Sequence, residues 1–517
     1  MVDPDLILAL DNGTQSVRAL LFDAQGVLVA KAKLELEAYV SRAPGWAEQE
    51  ADYFWEKLGK VCQQLWATSG VDASRVVAVS LTTQRGTVIN LDAGGKALRP
   101  AILWLDQRRA ETTAPIPQPW KSVFWLARQQ DKVDFFRSKA QANWIAQREP
   151  EIYERTHKVV LLSGFLTHRL TGCYRDSVGA IVGYLPFDYR KQQWASRHHW
   201  AWACSGVKPG QLPELVKPGE RLGTITVAAS AVTGIPAGIP LIAAASDKAC
   251  EVLGSGGLKP YVGCLSFGTT ATINTNSYRY VEPLRFIPPY AAAVPDAYNT
   301  EVMIYRGFWM VSWFKHQFGL RESLRAKELG ITAEELFDEL VNKVPAGSMG
   351  LMLQPYWSPG LNDRDMKGAV IGFGDLHTRA HIYRAILEGL AYGLREGKEQ
   401  IERRSGRKIT RLSVSGGGSQ SDAAMQITAD IFGLPVERPH TYETSGLGAA
   451  IDAAVGIGMH PSFPAAVAAM TRTGKVFTPD PEVHRLYEQL YQRVYRQMYR
   501  RLKPLYQEIR AITGYPE

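Results

Sequence analysis

An apolar run, a polar turn carrying Gly-Thr and a second apolar run occur twice in this 517-residue chain, about 255 residues apart. In the first copy Leu6-Ile7-Leu8-Ala9-Leu10 passes through Asp11 to Ser16 into Val17 to Asp23, and Ala24-Gln25-Gly26 turns the chain into Val27 to Ala30. In the second, Val262 to Phe267 passes through Gly268-Thr269-Thr270 into Ala271-Thr272-Ile273. Each copy reads as strand, tight turn, strand. Two such hairpins suit one per domain, and a chain of this length is too long for a single hydrophobic core. Two domains are expected, residues 1–253 and 254–517.

Helical spacing accompanies the strands. Tyr53 to Ser69 carries apolar residues three and four apart, Val76 to Leu81 reads as a buried strand, and the Trp-rich region from Pro119 to Trp202 is helix-compatible. Leu241 to Ala245 is another short apolar strand, ending in Ser246-Asp247-Lys248. Arg411 to Ser415 forms a strand, Gly416-Gly417-Gly418-Ser419 a turn and Ala423 to Phe432 a helix. Val483 to Tyr506 reads as one long amphipathic helix. Strands mixed with helices through both halves define an α/β protein.

Composition removes several classes. No segment approaches the roughly 18 uninterrupted apolar residues of a membrane span. The opening MVDPDLILALDNG has no basic region, long apolar core or cleavage site, so a cytoplasmic location is expected. Five scattered cysteines, with no CxxC, suggest neither a disulfide framework nor a zinc site. The net charge of +8 raises the question of nucleic acid, but no recognition motif accompanies it and the basic residues are dispersed. A basic cleft also attracts anionic small molecules.

The chemistry-bearing residues cluster at the turns. Phosphates need backbone N–H groups that approach closely, which Gly permits, together with small hydroxyl donors. Both Gly-Thr turns offer these, whereas GxxxxGK[ST] and a convincing GxGxxG are absent from the sequence. By itself a Gly-Thr turn is only a hairpin. The carboxylates beside the turns add meaning: Asp11 would be repelled by a phosphate unless a divalent cation lay between them, as magnesium does with one or two carboxylates. Asp247, at the end of an apolar strand, can accept a hydroxyl proton during phosphoryl transfer, or it can simply cap a helix.

Asp11-x-Gly13-Thr14-x-Ser16-x-Arg18, Gly45 to Glu50, Ser246-Asp247, Gly268-Thr269-Thr270 and Gly416-Gly417-Gly418-Ser419, in this order, resemble the FGGY carbohydrate kinase family. Gly368 to Phe373 followed by His381 to Glu388 is similar to that family's C-terminal signature. The resemblance covers Asp5 to about Leu505. It implies two ribonuclease-H-like domains of the actin, hexokinase and Hsp70 type, with ATP and a small sugar or polyol meeting in the cleft between them. It further implies that Asp11 and Asp247 serve magnesium, that Gly13, Thr14, Gln15, Ser16 and Arg18 line the first phosphate site, and that Gly268, Thr269 and Thr270 line the second. Gly417, Gly418 and Ser421 are implied at the adenosine, and Asp247 as catalytic base. Expected sugar-side residues are Gln84, Arg85, Trp104, Asp106 and Asp247.

Three positions depart from the family's pattern. Gln141 stands three residues before Trp144, where a lysine is common. Thr83-Gln84-Arg85-Gly86-Thr87 is similar to the Asn-Gln-Arg-Glu-Thr of glycerol kinases, with Gly86 in place of a glutamate that holds glycerol, and the Met-His pair of xylulokinases is missing. Lys248 stands where glycerol kinases carry a glutamine, so a second substrate contact is expected to differ. The resemblance therefore leaves the substrate unassigned. Two alternatives to a kinase remain at this stage, an ATPase of the Hsp70 or actin kind and a catalytically silent sugar sensor. The expected partner is a small molecule, not nucleic acid or membrane, and a homodimer is left open.

Overall fold

The structure, a computed structural model, describes residues 5–111, 113–358 and 365–515. The leaderless reading of the N-terminus rests in part on residues 1–4, which lie outside the described residues, as do the chain's last two.

Two large sheets organise the chain. The first contains Leu6–Asn12 (β1), Ser16–Phe22 (β2), Leu28–Glu35 (β3), Val76–Thr83 (β4), Arg221–Thr224 (β5) and Pro240–Ser246 (β6), in the order β5-β6-β4-β1-β2-β3. The second contains Val262–Phe267 (β7), Ala271–Ser277 (β8), Tyr290–Ala291 (β9), Tyr298–Ile304 (β10), Arg411–Ser415 (β11), Val436–Pro439 (β12) and Thr473–Phe477 (β13), in the order β9-β10-β8-β7-β11-β12-β13. Both share one plan. Three antiparallel strands, β3-β2-β1 or β10-β8-β7, continue into two parallel ones, β4-β6 or β11-β12. This is the ribonuclease-H-like arrangement, present twice.

Strand alternation decides what each face meets. In β1, Leu6, Leu8 and Leu10 pack with Phe54, Leu58, Val61 and Leu65 of the helix Ala51–Ser69 (α1). Ile7 and Ala9 face the other way, onto the helices Asp247–Gly254 (α2) and Thr444–Gly456 (α5). Between these in sequence, Arg379–Ser405 (α3) lies on β8 and β10, and Asp422–Phe432 (α4) packs beside α3.

Helix α5 comes late in the chain yet covers the first sheet, through Leu447, Ala450, Ile451 and Ala454. Conversely α2, which follows β6, sends Val252 onto Val262 and Cys264 of the second sheet. The two helices meet backbone to backbone. A Cβ on Gly254 would stand 2.0 Å from the Thr444 carbonyl oxygen, and one on Gly448 1.9 Å from that of Cys250. Only glycine allows this approach.

The expected single C-terminal helix is interrupted. It runs Pro481–Leu490, widens into a π turn over Tyr491–Tyr495 and resumes as Arg496–Thr513. The wider turn lets both Tyr491 and Tyr495 lie against Tyr392, with ring centroids at 5.9 and 5.0 Å. Among the described residues no helix is long and apolar enough to cross a membrane.

Candidate active site

Asp11 and Asp247 both leave the C-terminal edge of the first sheet. Asp11 pairs with Thr82 of β4, and Asp247 follows Ser246, which pairs with Thr83. One strand separates β1 from β6, a spacing of roughly 10 Å, and open α/β sheets bind ligands at this edge. Asp11 is buried and accepts from Arg18 Nη1 at 2.8 Å, while Arg18 Nε lies 3.5 Å from Glu443, the residue preceding α5. Burial pushes the Asp11 carboxyl up to about 6; Arg18 opposes the shift and the neighbouring Asp247 adds to it.

Asp247 is the first residue of α2. It is not the helix cap, because Ser246 occupies the N-cap position, with no capping hydrogen bond from its side chain among the described residues. The Lys248 backbone N–H donates to Asp247 Oδ1 at 2.8 Å, and among the described residues Oδ2 has no hydrogen-bond partner. Burial raises this carboxyl above the usual range, against the pull of Lys248 and Arg85.

The first turn is joined to the expected sugar side. Thr14 Oγ1 donates to Gln84 Oε1 and accepts from Trp104 Nε1, each at 3.0 Å. Gln15 is exposed and its carbonyl accepts from Leu36 N, whereas Ser16 is buried. Gly13 has no tight neighbour at its Cβ position. Gly86 holds a φ of +67°, so a glutamate there would be strained. That loop does without the carboxylate.

Arg85 faces the second half of the chain. Its guanidinium donates to both oxygens of Glu301 on β10, at 2.6 and 3.0 Å, and lies over the Tyr290 ring at 5.2 Å. Glu301 and Tyr290 escaped the sequence reading because an isolated Glu in a strand carries no signal of its partner. Glu301→Gln keeps one hydrogen bond and removes the charge, so a stability loss of about 2 kcal/mol is expected, measurable as a lowered urea midpoint. A midpoint equal to wild type would show that the pair does not bridge the halves.

Asp106 requires a correction. It was expected at the sugar, but its carboxylate is consumed by Ala47 N and by Arg108 N, Nε and Nη2 at 2.7–2.9 Å. Arg108 is sandwiched between Trp46 and Trp144, 4.1 and 4.6 Å from the ring centroids, and also bonds Glu48 at 2.9 Å. Arg99 joins Glu48 to Glu149. The Gly45 to Glu50 motif thus supplies a buried ionic network, in which every charge has a partner as burial demands.

At the second sheet, β7 and β11 are neighbours, with Ser266 paired to Ser415. The Gly268 turn and the Gly416–Gly418 turn therefore stand side by side. Gly416 has a φ of +85° and its Cβ position lies 2.9 Å from the Phe267 backbone. At Gly418 that position is taken by the Phe308 ring, while Gly417 is open. The Gly268 and Thr269 carbonyls accept from Phe308 N and Trp309 N; Thr269 is exposed and Thr270 half-buried. Ser421 Oγ caps α4 through Ala424 N and donates to Asp338 at 2.6 Å, so the hydroxyl expected against adenosine is engaged within the protein.

No group of three or more His, Cys, Asp or Glu side chains suited to a metal occurs among the described residues. Magnesium on a triphosphate needs less, one or two carboxylates with waters and phosphates. Asp11 keeps Oδ1 without a hydrogen-bond partner among the described residues, and its raised pKa records a buried carboxylate beside a second one. The donor set fits.

Two ribonuclease-H-like sheets, each carrying a Gly-Thr turn, with Asp11 and Asp247 at the edge of the first, define a two-domain fold of the actin and hexokinase type. The chain belongs to the FGGY family of carbohydrate kinases, with residues 6–254 matching the family's N-terminal domain and 263–457 its C-terminal domain. It is 29% identical to the uncharacterized sugar kinase YgcE of Escherichia coli K12, over 92% of this chain and 89% of that protein. The xylulose kinase of Lactococcus lactis is 27% identical, over 94% of each. The crystal structure of xylulose kinase from Rhodospirillum rubrum superposes with a TM-score of 0.79 at 26% identity, covering 97% of this chain and all of that one. As a family member the chain catalyses ATP-dependent phosphorylation of a sugar or polyol.

Proposed function

We propose that the sugar hydroxyl loses its proton to Asp247 as its oxygen attacks the γ-phosphorus of ATP, the bond to the β-phosphate oxygen breaks and ADP leaves. The observation that carries this reading is the partnerless Oδ2 of half-buried Asp247, at the strand edge shared with Asp11. Desolvation makes the carboxylate a stronger base than an exposed one, which suits general-base work.

Gln84, Arg85 and Trp104 form the sugar side in this reading, with Trp104 as an aromatic wall and Gln84 as a polar group already oriented by Thr14. Gly13, Thr14, Gln15, Ser16 and Arg18 approach the phosphates from the first domain, residues 1–253, and Gly268, Thr269 and Thr270 from the second, residues 254–517. Gly417 leaves room for the adenosine, with Gly418 and Ser421 shaping that loop from behind. Magnesium bound with ATP would be held by Asp11 and Asp247 and would offset the charge of the triphosphate. Closure of the cleft excludes water, so the sugar hydroxyl is the acceptor.

A screen of ADP release across ketoses, polyols and deoxysugars with Mg-ATP tests the proposal. One structural class is expected to raise the rate at least about 10²-fold above hydrolysis by water, the lower range of general-base effects. Nucleotide turnover indifferent to every sugar but stimulated by a protein would instead support an Hsp70-like machine.

A further inference from the structure

The Lys248 side chain leaves α2 and reaches the second domain, where Nζ donates to Ser266 Oγ at 2.6 Å. The ammonium stands 3.8 Å from the point a Cβ on Gly268 would occupy. Backbone and charge thus converge on the Gly268-Thr269-Thr270 turn from opposite sides of the cleft. We propose that Lys248 is a phosphoryl-contacting residue, its ammonium binding the terminal phosphate of ATP and the charge that develops on it during transfer.

This inference rests on the nucleotide reading above and adds to it a residue at which this chain differs from glycerol kinases. The first argument is the donor inventory. An ammonium has three N–H groups. One goes to Glu251 Oε2 at 2.7 Å and one to Ser266, and the third has no partner among the described residues. The second is anchorage. Glu251 is buried and its other oxygen accepts from Ser415 Oγ at 2.7 Å, at the end of the strand that leads into the Gly-rich turn. Glu251 therefore holds the ammonium in place without enclosing it, and the Lys248 side chain stays 18% exposed.

The third argument is position. Lys248 directly follows Asp247, the residue placed beside the attacking hydroxyl, and its ammonium stands beside the Gly268 turn that approaches the phosphates. Phosphoryl transfer spreads charge over the equatorial oxygens, and a fixed cation there stabilises the transition state. A lysine acts as a compact point charge for phosphate, needing no planar geometry.

Calorimetric titration of wild type, Lys248→Gln and Lys248→Arg with Mg-ADP and Mg-AMP-PNP tests this. In Lys248→Gln the affinity for AMP-PNP is expected to fall at least about tenfold, with ADP affinity within about threefold of wild type. The best sugar found should show a kcat lowered about 10²-fold, the effect of removing one oxyanion donor, with its KM little changed. Lys248→Arg retains a cation against Glu251 and should recover part of the AMP-PNP affinity; it also serves if the glutamine variant fails to fold. Equal losses for ADP and AMP-PNP, or none, would overturn the assignment and leave Lys248 as a structural partner of Glu251. A wild-type protein that binds neither nucleotide would instead overturn the nucleotide reading, and this inference with it.

Discussion

Asp247→Asn is expected to lower kcat on the best sugar substrate by roughly 10²–10⁴-fold, a barrier increase of about 3–5 kcal/mol. The substitution is nearly isosteric. Its amide oxygen can still accept from Lys248 N, as Oδ1 does at 2.8 Å, so the start of α2 is kept. What it removes is basicity at Oδ2 and one negative charge beside Asp11. Because the attacking group is an alcohol, which is a poor nucleophile until its proton is taken, the rate depends on that basicity. KM for the sugar should change much less than kcat. A variant within about tenfold of wild-type kcat would show that another group takes the proton and that Asp247 only begins a helix.

The other large effect concerns the fold. Gly448→Ala adds one methyl group to α5, 1.9 Å from the Cys250 carbonyl oxygen of α2, where no flexible side chain can yield. Either the helices separate or the backbone distorts, and both disturb the apolar contacts of α5 with the first sheet. A destabilisation of about 3 kcal/mol or more is expected, at or beyond the upper range for overpacked cores. For a protein with domains of this size that lowers Tm by roughly 10 °C. Gly417→Ala is the control, since nothing lies within 4 Å of its Cβ position and its φ is not positive. Its Tm should stay within about 2 °C of wild type, as for surface substitutions that change stability by under about 0.5 kcal/mol. If Gly448→Ala melted with the control, the backbone contact between α2 and α5 would not be what joins the halves.

The two effects draw on different information in the chain. Asp247 was legible as a candidate because an acidic residue ending an apolar strand is a local pattern. Gly448 was not, because a glycine in a helix signals nothing until the helix it touches is known. The same contrast runs through the sugar side. Gln84 and Trp104 meet through Thr14, which the turn chemistry of the first hairpin brought into view. Asp106 looked equivalent to them and is buried in an ion network instead, since its partner Arg108 belongs to the layer formed with Trp46, Trp144 and Glu48. Arg85 was legible as a sugar-side candidate, but the carboxylate 216 residues away that holds it was not.

The sequence by itself determined the two hairpins, Asp11 in the first of them, Asp247 after a separate apolar strand, the Gly-rich turns and the order in which they follow one another. These are backbone requirements, satisfied by a few consecutive residues, so they appear as short motifs. Tertiary structure alone decided which helix covers which sheet, that the C-terminal helix opens into a π turn around Tyr392, and where the long charged side chains end. The physical reason is one of range. A strand's alternation sets the face of a side chain within two residues, but a buried charge is placed by whichever distant group neutralises it, as Glu301 does for Arg85.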